Sequence, residues 1–119
     1  MKEEFISEIK AAYQFKGDSI VLGCGMLNGA VLPEAPISIP LRMVNRHGLI
    51  AGATGTGKTK SLQLMAEQLS SKGVPSVLLD IKGDLSGIAL EGSMNSKISE
   101  RHTTLNIPWE PHDNFVELL

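Results

Sequence analysis

Gly52, Ala53, Thr54, Gly55, Thr56, Gly57, Lys58 and Thr59 stand at the spacing G-x-x-x-x-G-K-[ST], the spacing of a loop that cradles phosphate. Each residue type has a physical reason to be there. Gly52, Gly55 and Gly57 let the backbone take positive φ angles and approach phosphate oxygens with no Cβ in the way. Successive N–H groups then form an anion nest at a helix N-terminus, where the macrodipole also favours negative charge. Lys58 supplies a flexible cation for the β- and γ-phosphates and is the catalytic candidate, and the Thr59 hydroxyl is a hard oxygen ligand suited to Mg²⁺. With Lys60 added at the loop's exit, Gly52 to Lys60 is the expected phosphate-contacting set. The ligand it points to is a nucleoside triphosphate, ATP with Mg²⁺. Average composition yields this pattern by accident in well under about one in a hundred chains of this length, so phosphate capture outweighs a chance glycine-rich turn.

Asp80 is the next acid of interest, because Val77-Leu78-Leu79-Asp80 is a hydrophobic run ending in a carboxylate, as a strand that holds Mg²⁺ through water does. The competing reading is a capping acid. The interval from Thr59 to Val77 has room for one helix and no intervening strand, which weighs against the metal role. Asp80, Lys82 and Asp84 still follow the carboxyl end of a predicted strand, where an open parallel sheet places its ligand.

The elements that must hold these residues are read from pattern. Gly48-Leu49-Ile50-Ala51 predicts a compact strand entering the loop, and Lys58 to about Ser70 predicts a helix with Leu62, Met65, Ala66 and Leu69 inward. Gly73 and Pro75 should end it. Ser76 to Ile81 is continuously apolar up to Asp80, as a buried parallel strand is. Strand, turn, helix and strand would make a βαβ unit with a right-handed crossover.

Upstream, Phe5, Ile6, Ile9, Ala12 and Tyr13 recur at helical spacing, with Gly17 and Asp18 as the stop. From Ser19 to Leu41, short apolar runs alternate with Gly, Asn and Pro, as small strands in a hairpin or meander do. Pro33, Pro36 and Pro40 confine those strands to edges. Downstream, Asn95 to Arg101 suggests a short helix and Phe115 to Leu119 the beginning of a strand. The expected organisation is a helix and β-rich lead-in over 1–44, then a P-loop core over 45–119. The fold class expected is α/β: an incomplete, RecA-like parallel sheet of a P-loop NTPase.

Composition narrows the class. The chain has 119 residues, 42% apolar and 20% charged, which fits one folded domain rather than a disordered or fibrous chain. Its net charge of −2 gives no global basic field for nucleic acid. Cys24 is the only cysteine, so no internal disulfide or cysteine-rich metal site can form, and a reducing compartment fits. No apolar run reaches about 18 residues, so no membrane partner is expected and the cytoplasm is the expected location. His47, His102 and His112 are too scattered for a metal site, Trp109 and Cys24 read as core, and Lys2, Lys10, Arg42, Arg46 and Lys60 form no run.

Asn45-Arg46-His47-Gly48-Leu49-Ile50-Ala51 leading into the loop, followed by Asp80-Ile81-Lys82-Gly83-Asp84-Leu85-Ser86-Gly87, resembles the HerA/FtsK superfamily of P-loop ATPases, and within it the bacterial HerA-like helicases. The resemblance is strong from Asn45 to Gly87. It implies a RecA-like ATPase core that assembles as a ring, commonly a hexamer, and couples ATP hydrolysis to movement along DNA. Carried over residue by residue, Lys58 meets phosphate and Thr59 meets Mg²⁺. Such proteins run several times longer and carry a later Asp-Glu pair whose glutamate activates water. No hydrophobic run followed by Asp-Glu occurs in this sequence. The chain is therefore expected to be the amino-terminal part of such an ATPase, with slow hydrolysis of its own.

Two functions compete: part of an ATP-driven DNA helicase or translocase, or a nucleotide-binding module without turnover. A small kinase or GTPase is weaker, and the absence of an N-K-x-D sequence disfavours GTP.

Overall fold

The computed structural model describes residues 1–117. Two compact units divide the chain: Met1–His47 with Met94–Trp109, and Gly48–Ser93 with Glu110–Leu119.

The first unit is built on a hairpin, β1 (Ser19–Leu27) and β2 (Ala30–Pro40), paired antiparallel. Its turn is Asn28-Gly29, with φ of 50° and 79°. That pair of left-handed residues matches the right-handed twist of the flanking strands. Both strands are edges of a two-stranded sheet, so Pro36 and Pro40 can lie opposite Cys24 and Ser19 without breaking a ladder on a second side. The register slips between Val21 and Gly23 and again between Cys24 and Gly25. These irregularities bend the ribbon. Helix α1 (Lys2–Ala12) lies against it, with Phe5, Ile6 and Ile9 half-buried. Gly25 permits the approach: a Cβ there would stand 3.1 Å from the Phe5 ring and 3.3 Å from the Ala35 methyl. Ile20 and Ala35 are fully buried and Leu32 nearly so, which puts the core of the unit on the hairpin.

Helix α3 (Ser96–Leu105) packs on β2 and runs beyond the stretch expected from the sequence. Asn95 caps it, its Oδ1 accepting from the Ile98 N–H at 2.9 Å. It ends at Asn106, at φ 51°, just ahead of Pro108. Cys24 and Trp109, expected in the core, are only half-buried.

The second unit holds α2 (Lys58–Ser71). Its inner face is Ala66, buried, with Met65 and Leu69 half-buried, while Leu62 is more exposed than the periodicity predicts. Gly73 at φ 73° closes it: its N–H donates to the Ser70 carbonyl and that of Val74 to the Leu69 carbonyl, both at 2.9 Å. This is a Schellman ending, and Pro75 prevents any continuation.

The α/β expectation fails here. The only sheet among the described residues is the two-stranded antiparallel hairpin, and no parallel RecA-like sheet is present. Residues 48–51 and 76–81 form no strand and have no ladder partners, so neither the βαβ unit nor its crossover is present among the described residues. Leu49, Val77, Leu79 and Ile81 are each at least 85% exposed. A continuous apolar run reads as a buried strand only if a neighbouring backbone takes up its N–H and C=O groups, and run composition cannot supply that neighbour. Phe115 to Glu117 form no strand; Leu118 and Leu119 lie outside the described residues.

Candidate functional site

The Gly52–Thr59 loop runs straight into α2. Gly55 at φ 80° and Gly57 at φ 92° take left-handed backbone, and Gly57 is the N-cap residue of the helix. Because glycine has no side-chain oxygen, the helix start has no side-chain cap, and no acid lies in its first turn, Lys58-Thr59-Lys60. The unmatched N–H groups and the positive dipole end therefore face the loop without internal neutralisation. Ser61 is bonded back to the Gly57 carbonyl through both its N–H, at 2.9 Å, and its hydroxyl, at 3.2 Å.

The loop is folded around the Ala53 carbonyl. That oxygen accepts from Lys58 Nζ at 2.6 Å, from Thr56 Oγ1 at 2.7 Å and from the Thr56 N–H at 3.4 Å. Gly52, expected at positive φ, does not take it; a Cβ there would stand 2.6 Å from Thr56 Oγ1, so that hydroxyl would have to leave the Ala53 carbonyl or shift. Lys58 is half-buried; Gly52, Ala53, Thr54, Gly55, Thr56, Gly57, Thr59 and Lys60 are exposed. The donor set fits an anion: a cation poised over the loop, hydroxyls on Thr56 and Thr59, and an uncapped helix start. For a metal, the Thr59 hydroxyl offers one hard oxygen. Among the described residues no group of three or more His, Cys, Asp or Glu could hold an ion. A Mg²⁺ here would rely on phosphate and water oxygens, which is how that ion is usually held beside a nucleotide.

Asp80 has a different occupation from the one its strand-end position suggested. Its Oδ1 accepts from the N–H groups of Lys82 at 3.1 Å and Gly83 at 2.8 Å, and its Oδ2 from that of Leu85 at 2.7 Å. The Leu85 N–H, followed by those of Gly83, Asp84 and Lys82, holds the carboxyl below the ordinary aspartate range, against a smaller opposing effect of desolvation. Gly83 at φ 78° allows the tight turn and Leu85 is buried as its anchor. Asp80 thus organises a loop, Asp80–Leu85, on which Lys82 and Asp84 are exposed.

Sequence reading missed Gln63. Its Nε2 donates to the Asp84 carbonyl at 2.9 Å, joining α2 to the Asp80–Leu85 loop. A polar residue on a helix that bonds a distant main-chain carbonyl leaves no mark in periodicity. The same unit also ties down its last segment, through the His112–Glu67 pair and through Asn114 Nδ2, which donates to the Ile88 carbonyl at 3.0 Å.

Compared with known families, the chain matches the family described as Helicase HerA-like C-terminal over residues 26–119. No curated protein and no solved structure matches.

Proposed function

This chain belongs to the helicase HerA-like C-terminal family, and on that premise we propose that it binds ATP with Mg²⁺ through Gly52–Thr59 as part of a helicase or translocase ATPase. The observation that carries the reading is the uncapped, acid-free start of α2 behind Gly55 and Gly57 at positive φ, with the Lys58 ammonium drawn over the loop. In this reading the Ala53 carbonyl occupies the place of a phosphate oxygen. A triphosphate is a stronger acceptor for the ammonium than a neutral carbonyl, so it takes Lys58 over, while the helix N–H groups turn to its other oxygens. Thr59 would offer its hydroxyl to Mg²⁺, which would supply neutralising charge to the phosphates when bound. Lys60, exposed in the first turn of α2, adds positive charge at the same end of the helix. DNA as the track, and a ring of identical subunits as the working form, rest on the family alone.

One observation favours a second reading, binding without turnover. Both carboxylate oxygens of Asp80 are engaged by backbone N–H groups, and the sequence holds no hydrophobic run followed by Asp-Glu to orient water. Steady-state ATPase assays on the chain and on Lys58→Ala, each with and without DNA, separate the two. DNA-stimulated turnover that vanishes in the variant supports the helicase reading. Binding with no turnover under either condition supports the module.

A further inference from the structure

The Asp80–Leu85 loop is exposed except at Leu85, yet it is closed by hydrogen bonds of its own. Asp80 gathers three of its N–H groups, Gly83 supplies the left-handed turn and Leu85 anchors it. Its bond outward to α2 is Gln63 Nε2 to the Asp84 carbonyl. Asp84 stands between Gly83 and Leu85, the two residues whose N–H groups meet Asp80 most closely, so the bond reaches the middle of the turn.

Gln63 sits in the second turn of α2, and the helix begins at Lys58, the cation of the glycine loop. An uncapped helix start frays, and an anion that satisfies its N–H groups suppresses that fraying. Residues one turn further in share the gain, because helix formation is cooperative over neighbouring residues. The Gln63 side chain therefore points at the Asp84 carbonyl from a firmer base when the helix start is occupied.

We propose that Gln63 is a positioning residue that carries occupancy of the Gly52–Thr59 loop to the Asp80–Leu85 loop. This inference rests on the phosphate-binding reading above. The ligand class is a phosphate-bearing nucleotide, and the consequence is that nucleotide binding further steadies the turn that presents Lys82 and Asp84. Gln63 touches no phosphate in this account. Its role is to transmit order between segments more than twenty residues apart in sequence.

Residue-resolved amide exchange on the full chain, with and without the magnesium complex of a non-hydrolysable ATP analogue, tests it. In the wild-type chain the analogue should slow exchange at the glycine loop and also at Lys82, Gly83 and Leu85, the latter on the order of five-fold, the size of one net hydrogen bond. Gln63→Glu removes the donor at nearly constant shape; it should keep the response at the glycine loop and lose the response at Lys82, Gly83 and Leu85. Gln63→Lys restores a donor and should recover it. A purely structural role would instead change exchange at these amides equally with and without the analogue. Asp80→Asn serves as a second variant that loosens the turn without touching α2, and there too the analogue should still act on the remaining bonds. The proposal is overturned if Gln63→Glu keeps the distant response, or if the wild-type glycine loop responds while Lys82, Gly83 and Leu85 do not. A chain in which neither loop responds overturns the nucleotide reading, and this inference with it.

Discussion

At the residue scale the most directly readable group is Asp80. Backbone N–H donors favour its charged form, so the folded carboxyl ionises below the value of about 3.9 that an unfolded aspartate has. The stability this gives the loop is present above that value and is lost as pH falls through the lower folded one. The Lys82, Gly83 and Leu85 amide resonances should therefore shift together with an apparent midpoint below the ordinary aspartate value, and the shared transition should vanish in Asp80→Asn; a midpoint at or above the ordinary value would show that these N–H groups do not hold the carboxylate. The left-handed turns at Gly55 and Gly57 ahead of α2 were legible because positive φ favours one residue type at a fixed place. Gln63 and the Ala53 carbonyl were not, since a bond to the main chain places no demand on the type of residue that supplies the carbonyl.

Elements were legible where the local chain dictates them. Asn28-Gly29 between two apolar runs makes a hairpin, and Gly73 before Pro75 ends a helix, whatever surrounds them. Gly29→Ala places a Cβ at φ 79° and should lower the stability of the hairpin unit by about 1–2 kcal/mol. Asn95→Ala removes the α3 cap and should lower it by about 1 kcal/mol. Urea midpoints at unchanged slope measure both, and a midpoint unmoved in Gly29→Ala would show that the turn is not held as described. The parallel strands were illegible for the opposite reason: Gly48–Ala51 and Ser76–Ile81 have the composition of buried strands, but a strand exists only through its partner.

For the whole molecule, those unpartnered runs and the small net charge of −2 set its behaviour in solution. Val77, Leu79 and Ile81 are large apolar side chains exposed close together in sequence, which invites self-association. Leu79→Lys with Ile81→Lys should reduce light scattering of concentrated chain while leaving the hairpin unit's urea midpoint unchanged; equal scattering would place the association elsewhere. Membership of the helicase HerA-like C-terminal family sets the context, and no helix among the described residues is long and apolar enough to cross a membrane. The central claim is phosphate capture at Gly52–Thr59, and equilibrium binding of a fluorescent ATP analogue with Mg²⁺ to the chain and to Lys58→Ala tests it most directly. The chain should bind the analogue saturably, with displacement by unlabelled ATP, and Lys58→Ala should weaken binding about ten- to a hundred-fold by loss of a charge-assisted bond. Absence of saturable binding by the wild-type chain, or equal affinity in the variant, would contradict phosphate capture at this loop.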